Sequence, residues 1–175
     1  MTSLLRNLVE SVAPLLSPPR VIMDREGGTP YLSRWYLSQR PTMPDGSEPF
    51  GPDGAPKDGL VLPSGWGLYL HRFHRGDDSP ELHNHPWRWA VSLILAGGYV
   101  EERRKGEGVV RHTYRPGALN LLLASTFHRV ELLERDAWSL FLVGPKVGHW
   151  GFWDRHSGRF EPWREYIARI RSVQP

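Results

Sequence analysis

Three histidines are the residues of this chain whose type and spacing could hold a metal ion. His83 and His85 are separated only by Asn84, so on an extended chain both imidazoles project from the same face. His128 follows a turn much later in the chain, and a neighbouring strand would bring it to the same place. Three neutral imidazoles that converge in this way predict a metal site with positions left open for water or substrate.

The elements that must position these histidines are predicted to be short strands. From Gly67 onward, alternating or apolar runs are separated by turns rich in glycine, proline and aspartate, which is typical of a β-sandwich or barrel. The predicted strands of this region are 68–73, 87–95, 99–104, 109–114, 118–123, 127–132 and 138–143.

The two ends of the chain add further elements. Apolar residues at helical spacing predict a helix over residues 3–13, and residues 21–23 and 31–37 predict two short strands. Residues 40–65 are dense in proline, glycine and aspartate and predict a long surface loop. A second short helix is predicted over residues 163–170.

These elements predict one globular domain made of three parts. Residues 1–66 contribute the first helix, two strands and the loop, and pack on a barrel formed by residues 67–145. Residues 146–175 form an aromatic C-terminal segment. A chain of 175 residues can bury about two-thirds of its unfolded surface, which is enough for a single core.

The composition excludes several kinds of site and partner. There is no cysteine, so neither disulfides nor thiolate ligands are available. The formal net charge is only +3, and the short arginine pairs lie near acidic residues, which gives little reason to expect a nucleic-acid partner. No apolar stretch approaches the ~20 residues of a membrane span, and the first residues do not resemble a signal peptide. We expect no membrane partner and a cytoplasmic location.

This arrangement resembles the cupin superfamily. The first motif of that family is filled here by Gly76, His83, His85 and Gly97. The second motif, Pro-x-Gly-x-x-His, falls at residues 123–128 and ends on His128. The resemblance covers roughly residues 67–145. It implies an all-β fold, a double-stranded β-helix or jelly-roll barrel, to which this chain adds a short N-terminal helix and a short C-terminal helix.

The chain departs from the family pattern at the fourth ligand. The family's glutamate ligand would fall near positions that hold Trp89 and Ala90, and the second motif lacks its Pro, its Gly and the Asn expected at Leu132. A site of three histidines without a carboxylate is similar to that of the thiol-dioxygenase branch. Three neutral ligands leave the metal its full positive charge, which favours an anionic ligand. Glu81 shares the parity of the two histidines and is an alternative fourth ligand.

Further candidates for catalysis and substrate binding lie near the predicted site. His71 and His149 could carry protons as acid or base groups, and Arg72 or Arg88 could bind a substrate carboxylate through a bidentate contact. His71 and Arg72 have opposite parity, so at most one of them points inward. Each also has an ordinary interpretation, as a packed residue, a hydrogen bond at the barrel rim or a solvated charge.

Aromatic residues could also line the pocket. Trp87 and Trp89 share the parity of the two histidines if the strand is regular, and would then bind substrate and exclude water; ordinary core packing is the alternative. The segment 147–153, rich in aromatic residues and glycine, could be a lid over the barrel mouth. It could equally be the contact of a homodimer.

The leading prediction is a metal-dependent cupin of the non-heme Fe(II) oxygenase kind, dioxygenase-like, acting on a small polar or anionic molecule with O2 as its second substrate. A thiol substrate is not predicted, because only Ser139 survives of the Ser-His-Tyr relay expected after the third ligand. One alternative is an isomerase, lyase or hydrolase that uses Zn, Mn or Ni as a Lewis acid. Another is a non-catalytic barrel that binds a small molecule.

Overall fold

The computed structural model describes residues 2–24, 28–63, 65–155 and 157–173 of the chain. In chain order its elements are α1 (Thr2–Val12), a short 3-10 helix (Ala13–Leu15), β1 (Arg20–Met23), β2 (Pro30–Tyr36), β3 (Gly67–Phe73), β4 (Leu82–His83), β5 (Trp89–Ala96), β6 (Tyr99–Lys105), β7 (Gly108–Tyr114), β8 (Leu119–Leu123), β9 (His128–Leu132), β10 (Ala137–Val143), β11 (Gly151–Trp153), β12 (Phe160–Pro162) and α2 (Trp163–Val173). Every predicted strand is present, within a residue or two of its predicted ends.

The strands form two antiparallel sheets of six strands each. The first sheet has the order β1-β2-β3-β10-β5-β8, and the second has the order β12-β11-β4-β9-β6-β7. Strands that are far apart in the sequence, such as β3 and β10, are neighbours, because the chain passes back and forth between the sheets as it does in a double-stranded β-helix. The predicted all-β fold class, with a short helix at each end, is confirmed.

Both ends of the chain are built into the sheets. β1 and β2 extend the first sheet beyond β3, and β11 and β12 extend the second beyond β4. The two-residue strand β4 was not predicted, and it places His83 within the second sheet. In its described residues, the loop predicted over 40–65 carries isolated β-bridges rather than strands.

Apolar side chains fill the space between the sheets. One buried cluster is formed by Ile94, Tyr99 and Val130, and a second by Ala90, Leu122, Phe141 and Val143. Fully burying a large apolar side chain contributes about 1.5–3 kcal/mol. The barrel therefore has a core that does not depend on a metal ion.

Helix α1 packs on the outer face of the first sheet. Its Val9, and Ala13 just after it, join a third buried cluster with Trp35, Leu70, Ala96 and Trp138. At the other end of the chain, the Tyr166 ring of α2 stacks on Phe152 with a centroid separation of 3.9 Å. Within the described ranges, neither helix has the length and apolar character of a membrane span.

Candidate metal centre

The second sheet brings the three predicted metal ligands together. β4 pairs with β9 so that His83 and His128 lie directly opposite each other. His85 lies two positions beyond His83, just past the end of β4. One ligand nitrogen from each histidine lies within 4.8 Å of the other two. The predicted three-histidine group is therefore present.

The spacing of these nitrogens fits a metal ion. Nε2 of His85 and Nε2 of His128 are 2.9 Å apart. Two nitrogens bound to one metal at about 2.1 Å and at a right angle are about 3 Å apart. Imidazole nitrogens are ligands that divalent transition metals prefer, and three of them leave coordination positions for water or a substrate.

A buried glutamate orients His128. Nδ1 of His128 lies 2.7 Å from Oε1 of Glu101. Because an ionised carboxylate only accepts hydrogen bonds, Nδ1 carries the hydrogen atom and donates a hydrogen bond to Glu101. Nε2 therefore keeps its lone pair for a metal. Glu101 is completely buried. The site therefore contains a carboxylate, which is the hydrogen-bond partner of the predicted ligand His128.

Glu101 is itself held by two further side chains. Nδ2 of Asn120 donates to its Oε1 at 2.9 Å, and Nε of Arg103 donates to its Oε2 at 3.0 Å. Burial alone would raise the pKa of Glu101, but the hydrogen bonds from His128 and Asn120 and the charge of Arg103 outweigh it, and the pKa is lowered. Glu101 is therefore ionised at neutral pH, as carboxylates that support metal-binding histidines are.

Burial keeps the other two imidazoles neutral. It lowers the pKa of His83 to about 4. The pKa of His85 lies well below its ordinary value, first because of burial and then because of the neighbouring His128 and His83. Since a metal binds the neutral form of histidine, both residues are in the binding form at neutral pH.

Aromatic rings enclose the cluster. Trp87 stacks on His85 with ring centroids 5.6 Å apart. Phe152 and Trp150 lie 6.2 Å and 6.4 Å from the ring of His83. The side chain of His83 is nevertheless 14% exposed, so the site is shielded from bulk water without being sealed.

A second set of polar side chains lies on the first sheet and faces the interior. Arg34 on β2, His71 on β3 and Ser139 on β10 are successive cross-strand partners. Nε of Arg34 donates to Nε2 of His71 at 2.8 Å. Burial first, and the charge of Arg34 second, hold the pKa of His71 well below its ordinary value. The rings of His71 and His85 lie against the same phenyl ring, that of Phe141.

Neither of the arginines predicted to bind substrate is buried in the barrel interior. Arg72 is on the face of β3 opposite to His71, where its guanidinium pairs with Asp136 at 2.9 Å. Arg88 is exposed to solvent. Of the two residues with opposite parity, the structure thus turns His71 inward and Arg72 outward.

The two predicted pocket tryptophans do not share a face. Trp87 forms an isolated bridge with Lys146 before β5 begins at Trp89, which interrupts the regular alternation that the prediction assumed. Trp87 therefore contacts His85. The ring of Trp89 instead packs so closely on Gly144 that a Cβ there would lie 2.5 Å from it.

Three further predicted residues or segments have defined positions. His149 is exposed in the loop between β10 and β11. Oε2 of Glu81 accepts a hydrogen bond from the backbone N–H of Arg155 at 3.0 Å, and Glu81 is not part of the three-histidine group. In the segment 147–153, the last three residues form β11 and pair with β4, so this part of the segment is a strand beside the site.

Glu101, Asn120 and Arg34 were not predicted from the sequence. The alternation of side chains along a strand could have identified two of them, because Glu101 points to the same face as the core residue Tyr99 and Asn120 to the same face as Leu122. A charged or amide side chain at a core position of a strand is rare unless it is paired. Arg34 gave no comparable signal, because apolar residues occupy both faces of its strand and alternation does not mark one face as the interior.

No protein-family model and no curated protein matches the sequence. Among solved structures, the DMSP lyase DddQ from Ruegeria pomeroyi DSS-3 is similar at 19% identity, covering 67% of this chain and 48% of that chain, with a TM-score of 0.44. KdgF from Halomonas sp. is similar at 14% identity, covering 69% and 85%, with a TM-score of 0.42. Oxalate oxidase in complex with glycolate is similar at 15% identity, covering 50% and 46%, with a TM-score of 0.42.

This chain spans about half the length of the lyase and oxidase chains that it matches. Identities this low concern the fold alone, and one fold hosts many functions. The resemblance to cupins is confirmed by the two facing antiparallel sheets and the three-histidine group of the structure itself. The protein is a cupin-like barrel with a site suited to a metal ion.

Proposed function

We propose that this protein is a non-heme Fe(II) oxygenase that acts on a small polar or anionic molecule. The observation that carries the proposal is the convergence of His83, His85 and His128 within 4.8 Å. Because these ligands are neutral, a divalent ion held by them keeps its full charge, and its open positions favour an anionic ligand. The partners of the protein are then a small molecule and O2.

The three histidines would hold the metal, and a bound Fe(II) ion would supply the electron transfer to O2 that side chains cannot. The chain supplies position and shielding. Glu101 fixes the ring of His128 and its tautomer. Trp87 and Trp150, beside two of the ligands, limit the access of water to the site.

His71 gives the interior a group that can donate a hydrogen bond. Its Nε2 accepts the hydrogen bond from Arg34, so the proton of the neutral ring is on Nδ1. In this tautomer His71 donates to a bound molecule and does not act as a base at the same atom. We therefore propose that His71, rather than the exposed His149, is the hydrogen-bond donor that orients the bound molecule.

The test is metal analysis and O2 consumption. Protein made without a histidine tag and purified anaerobically should contain iron, and the iron form should consume O2 when a suitable small molecule from a panel of carboxylates, alcohols and amines is added. The His128→Ala variant should lose both properties. Iron-reconstituted protein that consumes no O2 with any member of the panel would contradict the proposal.

A second candidate is an isomerase, lyase or hydrolase that uses Zn, Mn or Ni as a Lewis acid. The buried neutral imidazole of His71 favours it, because its Nδ1–H can donate a hydrogen bond that polarises a bound carbonyl group beside the metal. Turnover without O2 would support this candidate. Small-molecule binding that survives His128→Ala would instead favour a non-catalytic binding barrel.

A further inference from the structure

We infer that Arg34, His71 and Ser139 form a subsite for an anionic group, and that the small molecule bound at the metal centre carries a carboxylate that binds there. This inference rests on the proposed metal centre, but not on oxygen chemistry. It assigns the recognition of the substrate to an arginine of β2 whose side chain faces the barrel interior. Arg72, by contrast, lies on the outer face of the same sheet.

The three residues form one row across the first sheet. Arg34 is the cross-strand partner of His71, and His71 is the cross-strand partner of Ser139. Directly opposite residues on antiparallel strands have Cβ atoms about 4.5–5.5 Å apart on the same face. The row therefore presents a guanidinium, an imidazole and a hydroxyl side by side to the barrel interior.

Two polar atoms of this row are buried without a partner. Nδ1 of His71 and Oγ of Ser139 have no hydrogen-bond partner among the described residues, although His71 is only 2% exposed and Ser139 only 1%. A buried polar atom without a partner costs about 1–3 kcal/mol, and such atoms are rare in native proteins. Two of them on neighbouring strands point to a bound group that accepts hydrogen bonds from both.

Arg34 supplies the charge for an anion. Its Nε is occupied by His71, and its guanidinium stacks over the ring of Tyr69 at 5.1 Å. Among the described residues, no carboxylate lies within ion-pair distance of Arg34. The two terminal nitrogens of the guanidinium are therefore available for a carboxylate, which they match in geometry.

The row lies close to the metal ligands. His71 and His85 lie 4.9 Å and 5.9 Å from the same ring, Phe141, measured between ring centroids. A molecule that reaches from one histidine to the other spans about the width of one side chain. This limits the ligand to a small carboxylate with a second polar group at its other end.

The experiment compares each carboxylate with its uncharged amide. Calorimetric titrations without O2, on the zinc-loaded and the metal-free protein, would use glycolate against glycolamide and 3-hydroxypropionate against its amide. We expect the carboxylate to bind about 10–100-fold more tightly than the amide, as a charge-assisted bidentate contact gives. In the metal-free protein, Arg34→Gln should abolish this preference, Arg34→Lys should restore part of it, and Arg88→Gln, at an exposed arginine, should leave it intact.

A second variant separates ligand binding from a structural role. Ser139→Ala removes a buried hydroxyl without a partner, so the ligand-free protein should be as stable as wild type or more stable. The same variant should bind the carboxylates several-fold more weakly. A purely structural serine would show the reverse, with lower stability and unchanged affinity.

The outcomes distinguish this inference from the proposed function. If no carboxylate of the series binds the wild-type protein, or if the preference for carboxylates survives Arg34→Gln in the metal-free protein, where no metal charge can produce it, the subsite is wrong. If the preference depends on Arg34 but the iron form consumes no O2, the subsite stands and the oxygenase proposal fails. Zinc does not change its oxidation state, so the binding result cannot depend on oxygen chemistry.

Discussion

The two sheets form the two walls of the barrel interior, and they differ in how far their buried polar side chains are hydrogen-bonded. On the second sheet, the side chain of Glu101 is bonded to His128, Asn120 and Arg103. On the first sheet, Nδ1 of His71 and Oγ of Ser139 are buried and find no hydrogen-bond partner in the part of the chain that the structure describes. Both walls are deeply buried, so exposure to solvent does not explain the difference.

This difference separates what a site holds permanently from what it binds for a time. A fully bonded network fixes one geometry, which a metal ligand needs. Buried donors without partners lower the stability of the free protein and are satisfied only when a ligand arrives. The second sheet is thus organised to position a metal, and the first sheet to receive the molecule that approaches it.

The largest effect is expected from the metal ligands themselves. His83→Ala, His85→Ala and His128→Ala should each lower metal affinity by more than the roughly 10–100-fold expected for loss of a supporting residue, because each removes a donor nitrogen. Metal content after dialysis against a competing chelator measures the effect. Circular dichroism should show that the strands remain, since the core clusters do not include these residues. Full metal occupancy in any variant would remove that residue from the ligand set.

A smaller effect is expected when the bonded network is disturbed and the ligands are kept. Glu101→Gln replaces the charged acceptor of the His128 Nδ1–H bond, and metal affinity should fall about 10–100-fold. Glu102→Gln is the matched control, because Glu102 lies on the opposite face of β6 and pairs with Arg155. Equal metal affinities for the two variants would show that Glu101 does not position His128 for the metal, and the proposed difference in role between the two sheets would be wrong.

Periodicity predicted the strands and the pair His83 and His85 because both depend on local spacing, whereas His128 was placed by its turn and by the resemblance to cupins. His83 and His85 were recognisable because one intervening residue puts them on the same face. The row that contains Arg34 was not, because it depends on which strands become neighbours, and β2, β3 and β10 are far apart in the sequence. The position of Trp89 was misjudged because regular alternation was assumed across an irregular segment.

The stability of the metal-free protein should fall as the pH is lowered from about 6.5 to about 4. The pKa of His83 is about 4 in the folded protein, below the 6.5 of a free histidine, so the unfolded chain takes up a proton in this range that the folded chain does not. The pKa of His85 is lowered as well. Each such proton makes the free energy of unfolding fall by up to about 1.4 kcal/mol per pH unit.

Urea unfolding of the metal-free protein at several pH values measures this slope. His83→Gln should lower by one the number of protons taken up on unfolding, so the free energy of unfolding should depend less steeply on pH below about 6.5. At pH 7 and above, His83 is neutral in both states, so its protonation should not contribute to the difference in stability between the variant and the wild type. Parallel profiles for the two proteins below pH 6.5 would show that the imidazole of His83 titrates normally. The metal site would then not hold it in the neutral form.

The smallest effect is expected at Glu81, the carboxylate that the sequence offered as a fourth ligand. Its Oε2 accepts the backbone N–H of Arg155 at 3.0 Å, and the carbonyl oxygen of a glutamine can accept the same bond. Glu81→Gln should therefore leave metal affinity nearly unchanged, as measured by the chelator competition used for Glu101→Gln. A loss as large as that of Glu101→Gln would mean that a carboxylate from the loop before β4 joins the histidines when the metal binds. The site would then hold a partly neutralised metal, and the reason to expect an anion between the two walls would weaken.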